Sequence, residues 1–529
     1  MKIKMKYVVK VAAKDGPSMT VGSFELERGV NLVRASLPEG TIESVEAKIY
    51  WELNAGEKIF MNGFQTWTHC PELTARDRLR GLKFAPRAAV RYFGLDRYGD
   101  HFFVDYPDKP GHSHGESWCY FRDGDIFRLL ASVNERPGYT IFRYDAKKFT
   151  LTLIRDCAGI RCGGEYELFS LYCDEGSEQQ VFDGWFAAMN VVPRTREKLA
   201  GYSSWYNRYQ NISEEAILSD LQGCADVLAP GDLFQIDDGW ECFVGDWFCD
   251  EKKFPGGMKK AVEEIHSRGF KAGLWLAPFI CEKKSRIFRE HPDWLYKHDG
   301  ENWYCGCNWS GFYALDIDKP EVVSYLQDCF RRVFDEWGFD LVKLDFLYGG
   351  APFGSATETR SARMMRGMEL LLSLCGDKLL LGCGVPVMSA FGLADYCRIS
   401  CDVALNWRGP LYMRLSNREY VSTVHAIHNS LFRRQLNGRA YLSDPDVFFL
   451  RDENLHLSEK QKYTLAAVNA LMGGVFLTSD DMNRYDGEKK AQYAALLRLR
   501  EATDVTVEAD EGLSIEYTLD GVRQRLDIE

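Results

Sequence analysis

At 529 residues, with 46% hydrophobic and 27% charged residues, the chain has an ordinary globular composition but is too long for one core, so two or three domains are expected. A net charge of −12 with no basic block argues against nucleic acid and anionic membranes as partners. No apolar run suits a signal peptide or the roughly 20 residues of a membrane span, so a cytoplasmic protein with sixteen reduced cysteines is expected.

Residues 1–190 read as an all-β domain. "SFELERGVNLVRASL", "SVEAKIYWEL" and "FTLTLIRDC" alternate apolar and polar residues between Gly, Asp-Gly and Pro-Gly breaks, which predicts half-buried strands of an antiparallel β-sandwich. "GHSHGE" at 111–116 reads as a polar turn in preference to a metal-ligand set.

From about residue 195 the texture changes. Strands are predicted at "LAGYSSWY", "LFQIDDGW", "KAGLWLAPF", "DLVKLDFLY", "LLLGCGVP", "DYCRISCDV", "AYLSDPDVFFL" and "GGVFLTSDD". Amphipathic helices lie between most of them, one capped by Ser213 and another carrying Pro320 in its first turn. About eight such units over 195–500 predict a central (β/α)8 TIM barrel. A doubly wound sheet is the alternative, but no Gly-rich phosphate loop follows any strand. Residues 503–529 form a short C-terminal β segment with an Asp520-Gly521 hairpin. "CGC" at 305–307 is too tightly spaced for a structural zinc site, and no metal or cofactor is expected.

The predicted barrel strands end alike. The first ends in Trp205-Tyr206, the second in Asp237-Asp238, the third carries Trp275, and the fourth Lys343 and Asp345. The fifth ends in Cys383-Gly384, and the sixth holds Arg398 and Asp402. Functional groups of (β/α)8 enzymes gather at that end, because the loops there enclose the site. Indole faces stack on sugar rings, and a carboxylate pair flanking a bond is the machinery of glycoside hydrolysis. One member must be ionised and the other protonated, which requires different surroundings. Lys343 near Asp345 favours an ionised aspartate, while a loop shielding Asp402 would raise its pKa to suit a general acid. Blander readings exist: Asp237 and Asp238 as turn caps before Gly239, Trp205 and Trp275 as filling, Cys383 as a buried thiol. Asp444 and Asp446, flanking Pro445, read as turn and capping residues.

"GYSSWYNRY", "FQIDDGWE", "GLWLAPF", "HPDWL", "VKLDFLY", "LGCG" and "RISCDVALNW" together resemble glycoside hydrolase family 36, the melibiase-type α-galactosidases. "NGFQTW" at 62–67 is similar to the family's motif on a loop that reaches the site. The resemblance implies a retaining, exo-acting α-galactosidase, with Asp345 as nucleophile and Asp402 as acid/base. It implies Asp237 and Asp238 on the galactose 4- and 6-hydroxyls, Lys343 and Arg398 contacting the sugar or positioning the carboxylates, and Cys383 and Gly384 as pocket residues by match alone. Trp205, Tyr206 and Trp275 fall on pocket-wall positions and Trp67 on the aromatic lent by the N-terminal domain. Cys401 stands where relatives often carry proline, Phe64 where a tryptophan is common, and the C-terminal β-domain is a remnant. These departures touch the leaving-group side and the sugar's 2-position more than the reaction class. The alternatives are an α-N-acetylgalactosaminidase or α-galactosaminidase, a raffinose-synthase-type transglycosylase and, against the retention of both aspartates, a non-catalytic sugar-binding protein. The expected partner is a small carbohydrate, and since family members are often oligomeric, a homo-oligomer is among the expectations.

Overall fold

The computed structural model describes residues 2–102, 107–510 and 512–528, with backbone alone at 415–417. Alternation of apolar and polar residues sets the N-terminal architecture. In Gly29–Tyr50 every second residue from Asn31 to Leu37 is buried, and those between face solvent. This strand belongs to an eleven-stranded antiparallel sheet whose inward side chains share one core around Trp51, Phe121, Leu130 and Phe142. Its first half pairs with Arg161–Ser177 and its second with Thr150–Asp156. One continuous strand therefore fills the gap left between "SFELERGVNLVRASL" and "SVEAKIYWEL". The ladder jumps from Leu37 to Gly40, leaving Pro38, which has no N–H to donate, out of register. "GHSHGE" is not the expected polar turn: His112–Glu116 is a strand, and buried His114 lies 2.9 Å from an Asp100 carboxylate oxygen.

The barrel strands are β1 (Leu199–Ser203), β2 (Leu233–Ile236), β3 (Lys271–Leu276), β4 (Leu341–Leu344), β5 (Leu379–Gly382), β6 (Tyr396–Arg398), β7 (Leu442–Asp444), β8 (Val447–Phe448) and β9 (Val475–Thr478). All pair in parallel, and most of their residues are buried, as strands covered on both faces require. The seventh barrel position is shared. β7 pairs with β6 and β8 with β9, and Pro445 with left-handed Asp446 (φ 76°) joins them, closing the barrel.

Helix α1 (Glu214–Cys224) starts at Ser213, whose hydroxyl accepts the Ala216 N–H. Pro320 opens α2 (Pro320–Arg331), where its missing N–H has no intrahelical partner to lose. β1 stops earlier than expected, because Trp205–Arg208 turns helical, so Trp205 and Tyr206 stand on the loop beyond the strand. Three antiparallel strands end the chain, and Leu519 pairs with Val522 across the Asp520-Gly521 turn, both turn residues at positive φ.

Helix α3 (Thr423–Phe432) leads into the residue that fastens the two larger parts together. Arg433, fully buried, donates to Asn62 Oδ1 and to the carbonyl oxygens of Gly63, Gln65, Thr66 and Ile399. Thr66 N–H donates to Val385 O and its hydroxyl accepts the Gly384 N–H, which seats the 62–67 loop on the end of β5. Gly384 has φ +56°, and an added Cβ would meet Trp67 at 2.9 Å, so only glycine suits both the turn and the approach.

Candidate active site

A cavity of about 570 Å³ opens at the C-terminal ends of the barrel strands. Its lining includes Trp67, Trp205, Asp237, Asp238, Trp275, Lys343, Asp345 and Asp402, so eight of the twelve residues singled out in the sequence meet in one place. A second hollow, about 720 Å³, lies on the N-terminal sheet around Lys14, Glu39 and Arg161, and none of the twelve lines it.

The two charges that interrupt β4 have different partners. Lys343 Nζ donates to Asp237 Oδ2 at 2.9 Å, and both groups are buried. Burial works against the ammonium, but attraction to Asp237, with a smaller contribution from Asp345, outweighs it and raises the lysine pKa. Asp345 lies just past the strand. Its Oδ2 accepts the Trp275 indole N–H at 3.2 Å and its Oδ1 the Phe346 N–H at 2.8 Å. Burial pushes its carboxyl pKa up, against the opposing pull of Lys343 and a hydrogen bond from Cys383, while Asp402 adds to the rise. Lys343 therefore does not carry the balance at Asp345 as the sequence suggested; desolvation wins.

Asp402 differs. Its side chain is 40% exposed and accepts Arg398 Nη1 at 2.9 Å, so the loop expected to shield it does not. Arg398 is buried behind it and reaches two further carboxylates, Asp444 at 3.2 Å and Asp446 at 2.8 Å. Asp446 Oδ2 also accepts the Tyr206 hydroxyl at 2.6 Å and the Val403 N–H at 2.8 Å. Burial, with Asp402 and Asp444 and against the pull of Arg398, lifts the Asp446 pKa to about 6.

Four sequence-selected residues stand outside the lining. Tyr206 is a ligand of Asp446 and not a pocket wall, and Arg398 supports Asp402 from behind. Cys383 sits between Trp67, whose indole N–H reaches its Sγ at 3.4 Å, and Asp345. Gly384 lies under Trp67.

Others were missed. Asp444 and Asp446 are not mere turn caps but bind the arginine that holds Asp402, and their place at the end of β7 was the available signal. Trp309 and Gln210 both line the cavity, and each donates to Asp238 Oδ2 at 2.9 Å. Trp309 comes from the long excursion between β3 and α2, where no strand-end rule points.

This arrangement joins a buried carboxyl, an accessible carboxyl held by an arginine, and a polar cluster within aromatic walls. Residues 194–370 match the Melibiase family model. An α-galactosidase of Escherichia coli is 26% identical over 190 residues, 34% of this chain and 26% of that protein. Alpha-galactosidase Mel36A of Lactobacillus acidophilus is 30% identical over 190 residues, 34% of this chain and 25% of its own length. The match thus spans about a quarter of these curated relatives. Among solved structures, the α-galactosidase TtGalA of Thermus thermophilus, in complex with p-nitrophenyl α-D-galactopyranoside, superposes with a TM-score of 0.74 at 26% identity. That superposition covers 94% of this chain and 99% of that one. AgaA of Geobacillus stearothermophilus, at 12% identity and a TM-score of 0.60, shares the fold over 97% of this chain and 79% of its own. From barrel sequence to whole-chain architecture the likeness runs in one direction: residues 194–370 are similar to the Melibiase family, and the chain as a whole shares the fold of α-galactosidases.

Proposed function

We propose that the chain is a retaining, exo-acting α-galactosidase that releases terminal α-linked galactose by double displacement. The observation that carries this reading is the unlike carboxyl pair lining one cavity, buried Asp345 and accessible Asp402. The non-reducing sugar seats its hydroxyls on Asp237, Asp238 and Lys343, between Trp205, Trp275 and Trp67.

Asp345 attacks the anomeric carbon as the glycosidic bond breaks, and Asp402 passes its proton to the departing oxygen. Water then gives a proton to Asp402 and its oxygen to the anomeric carbon, freeing Asp345 and releasing the sugar with its α configuration. Trp275 and Cys383 fix the Asp345 carboxylate by hydrogen bonds, and Arg398 orients Asp402. The small-molecule partner is an α-galactoside. The relatives' names support galactose over its 2-amino analogues.

Turnover of nitrophenyl α-galactoside, α-N-acetylgalactosaminide and α-galactosaminide tests the reading. The α-galactoside is expected to give the highest kcat/KM. A preference for either amino sugar would move the function to a galactosaminidase on the same machinery.

A further inference from the structure

The segments that frame the mouth of the cavity have an unusual composition. The turn Leu82–Phe84 and the helix Arg87–Phe93 contain no buried residue, although they carry Leu82, Phe84, Val90, Tyr92 and Phe93. Phe84 is 73% exposed and Tyr92 66%. The turn Leu411–Glu419 packs against Leu82–Phe84 and adds Leu411 at 77% and Tyr412 at 64%. A soluble surface seldom leaves so many large apolar side chains together without a use for them.

Continuity with the catalytic cavity indicates that use. Phe93, Leu95, Tyr412, Met413 and Val421 line the same cavity as Asp345 and Asp402. Burial grades along it: Asp237, Asp238, Lys343 and Asp345 are at most 8% exposed, against 41% for Phe93 and 64% for Tyr412. The hydroxyl-binding groups thus lie inside, and carbon surfaces lie outside. An exo-acting enzyme holds the sugar inside and the leaving group at the mouth. A second sugar there would bring hydroxyls to a rim dominated by Phe, Leu, Met, Val and Tyr, whereas an aryl or alkyl group would bury apolar area on both sides.

We propose that residues 82–95 and 411–421 form an apolar leaving-group subsite, and that the enzyme acts on α-galactosides with aryl or alkyl aglycones in preference to oligosaccharides. This rests on the α-galactosidase reading and adds the class of aglycone. Phe93 and Tyr412 flank the leaving group, and Phe84, Tyr92 and Leu411 extend the surface for a longer chain.

A homologous alkyl series tests it, because methyl, butyl and octyl α-galactosides leave as alcohols of similar acidity and differ mainly in apolar surface. A fully buried methylene contributes up to about fourfold, so kcat/KM is expected to rise at least about tenfold from methyl to octyl, measured below micelle-forming concentrations. In the Phe93→Ser/Tyr412→Ser variant that octyl-to-methyl ratio is expected to collapse towards one. Thermal melting checks the variant's fold, and Phe84→Ser/Tyr92→Ser provides a second variant farther from the carboxylates, expected to reduce the octyl-to-methyl ratio without abolishing it.

Turnover of methyl α-galactoside with a flat series, or a higher kcat/KM on raffinose or melibiose than on octyl galactoside, overturns the subsite and leaves the α-galactosidase reading standing. Failure to turn over any α-galactoside overturns both. A dimer that dissociates in Phe84→Ser/Tyr92→Ser, with an unchanged octyl-to-methyl ratio, would assign the patch to a second copy of the chain and overturn the proposal.

Discussion

Asp446→Asn separates an electrostatic role beside the acid/base from a purely structural one. In the native arrangement both oxygens of Asp446 only accept hydrogen bonds: Oδ1 from Arg398, Oδ2 from the Tyr206 hydroxyl and the Val403 N–H. An asparagine must aim its NH2 at one of these donor groups. One buried donor then loses its partner, at about 1–3 kcal/mol, so the melting temperature falls. Charge adds a second effect. Asp402 and Asp446 accept from the same guanidinium, at 2.9 and 2.8 Å, and like charges held beside one cation repel by about 1 kcal/mol or less where water screens them and by several kcal/mol where it does not. With Asp402 40% exposed the low end applies, on the order of 1 kcal/mol.

Removing that charge takes a repulsion from beside Asp402, so the kcat/KM–pH profile of the variant departs from the native one on its basic limb. Since Asp446 is lifted to about 6, its charge is present only above that pH, and the shift belongs to that range. Stability carries the companion sign. A carboxyl whose folded pKa is raised binds more protons folded than unfolded, so its contribution falls as pH rises from near 3.8 through about 6. The variant loses that slope. Kinetic profiles from pH 4 to 9 with parallel melting curves are the assay. A lower melting temperature with superimposable basic limbs would refute the electrostatic part and leave Asp446 as a brace.

The remaining expectations are more direct. Asp345→Ala is expected to abolish turnover, and azide to restore it in Asp345→Gly as a β-galactosyl azide; undiminished activity in either variant would remove Asp345 from the mechanism. Cys383→Ala deletes a hydrogen bond that holds the Asp345 pKa down, so the acid limb of kcat/KM moves to higher pH; an unmoved acid limb would mean the thiol does not act on Asp345. Arg433→Ala strands the carbonyl oxygens of the 62–67 loop and lowers stability by several kcal/mol, on the order of 3 to 5. It also lowers activity, because Trp67 and Cys383 lose their seat; calorimetry and steady-state kinetics on one preparation check both effects.

How far the sequence reaches is visible in particular residues. The parallel strands were legible because both faces are buried, which leaves unbroken apolar runs such as those around Lys343, and the two charges stood out against that background. The Asp520-Gly521 turn was legible because only a few residue types accept successive positive φ values. What was lost depended on contacts between distant residues. Residues 38–43 lay outside the predicted strands, but the strand runs through them with a register shift opposite residues 162–164. Pro445 turned attention from Asp444 and Asp446, whose partner Arg398 lies more than forty residues earlier. Trp309 binds Asp238 from an excursion with no periodic pattern, and the exposure of Asp402 depends on loops whose paths no local rule dictates.

The central claim is a double displacement through Asp345. Proton NMR of the first sugar released from an α-galactoside, recorded before mutarotation, tests it most directly. The account predicts α-galactose as the initial product, with the β anomer appearing only as the solution equilibrates. Initial release of β-galactose would mean a single displacement by water, and would contradict a covalent intermediate on Asp345.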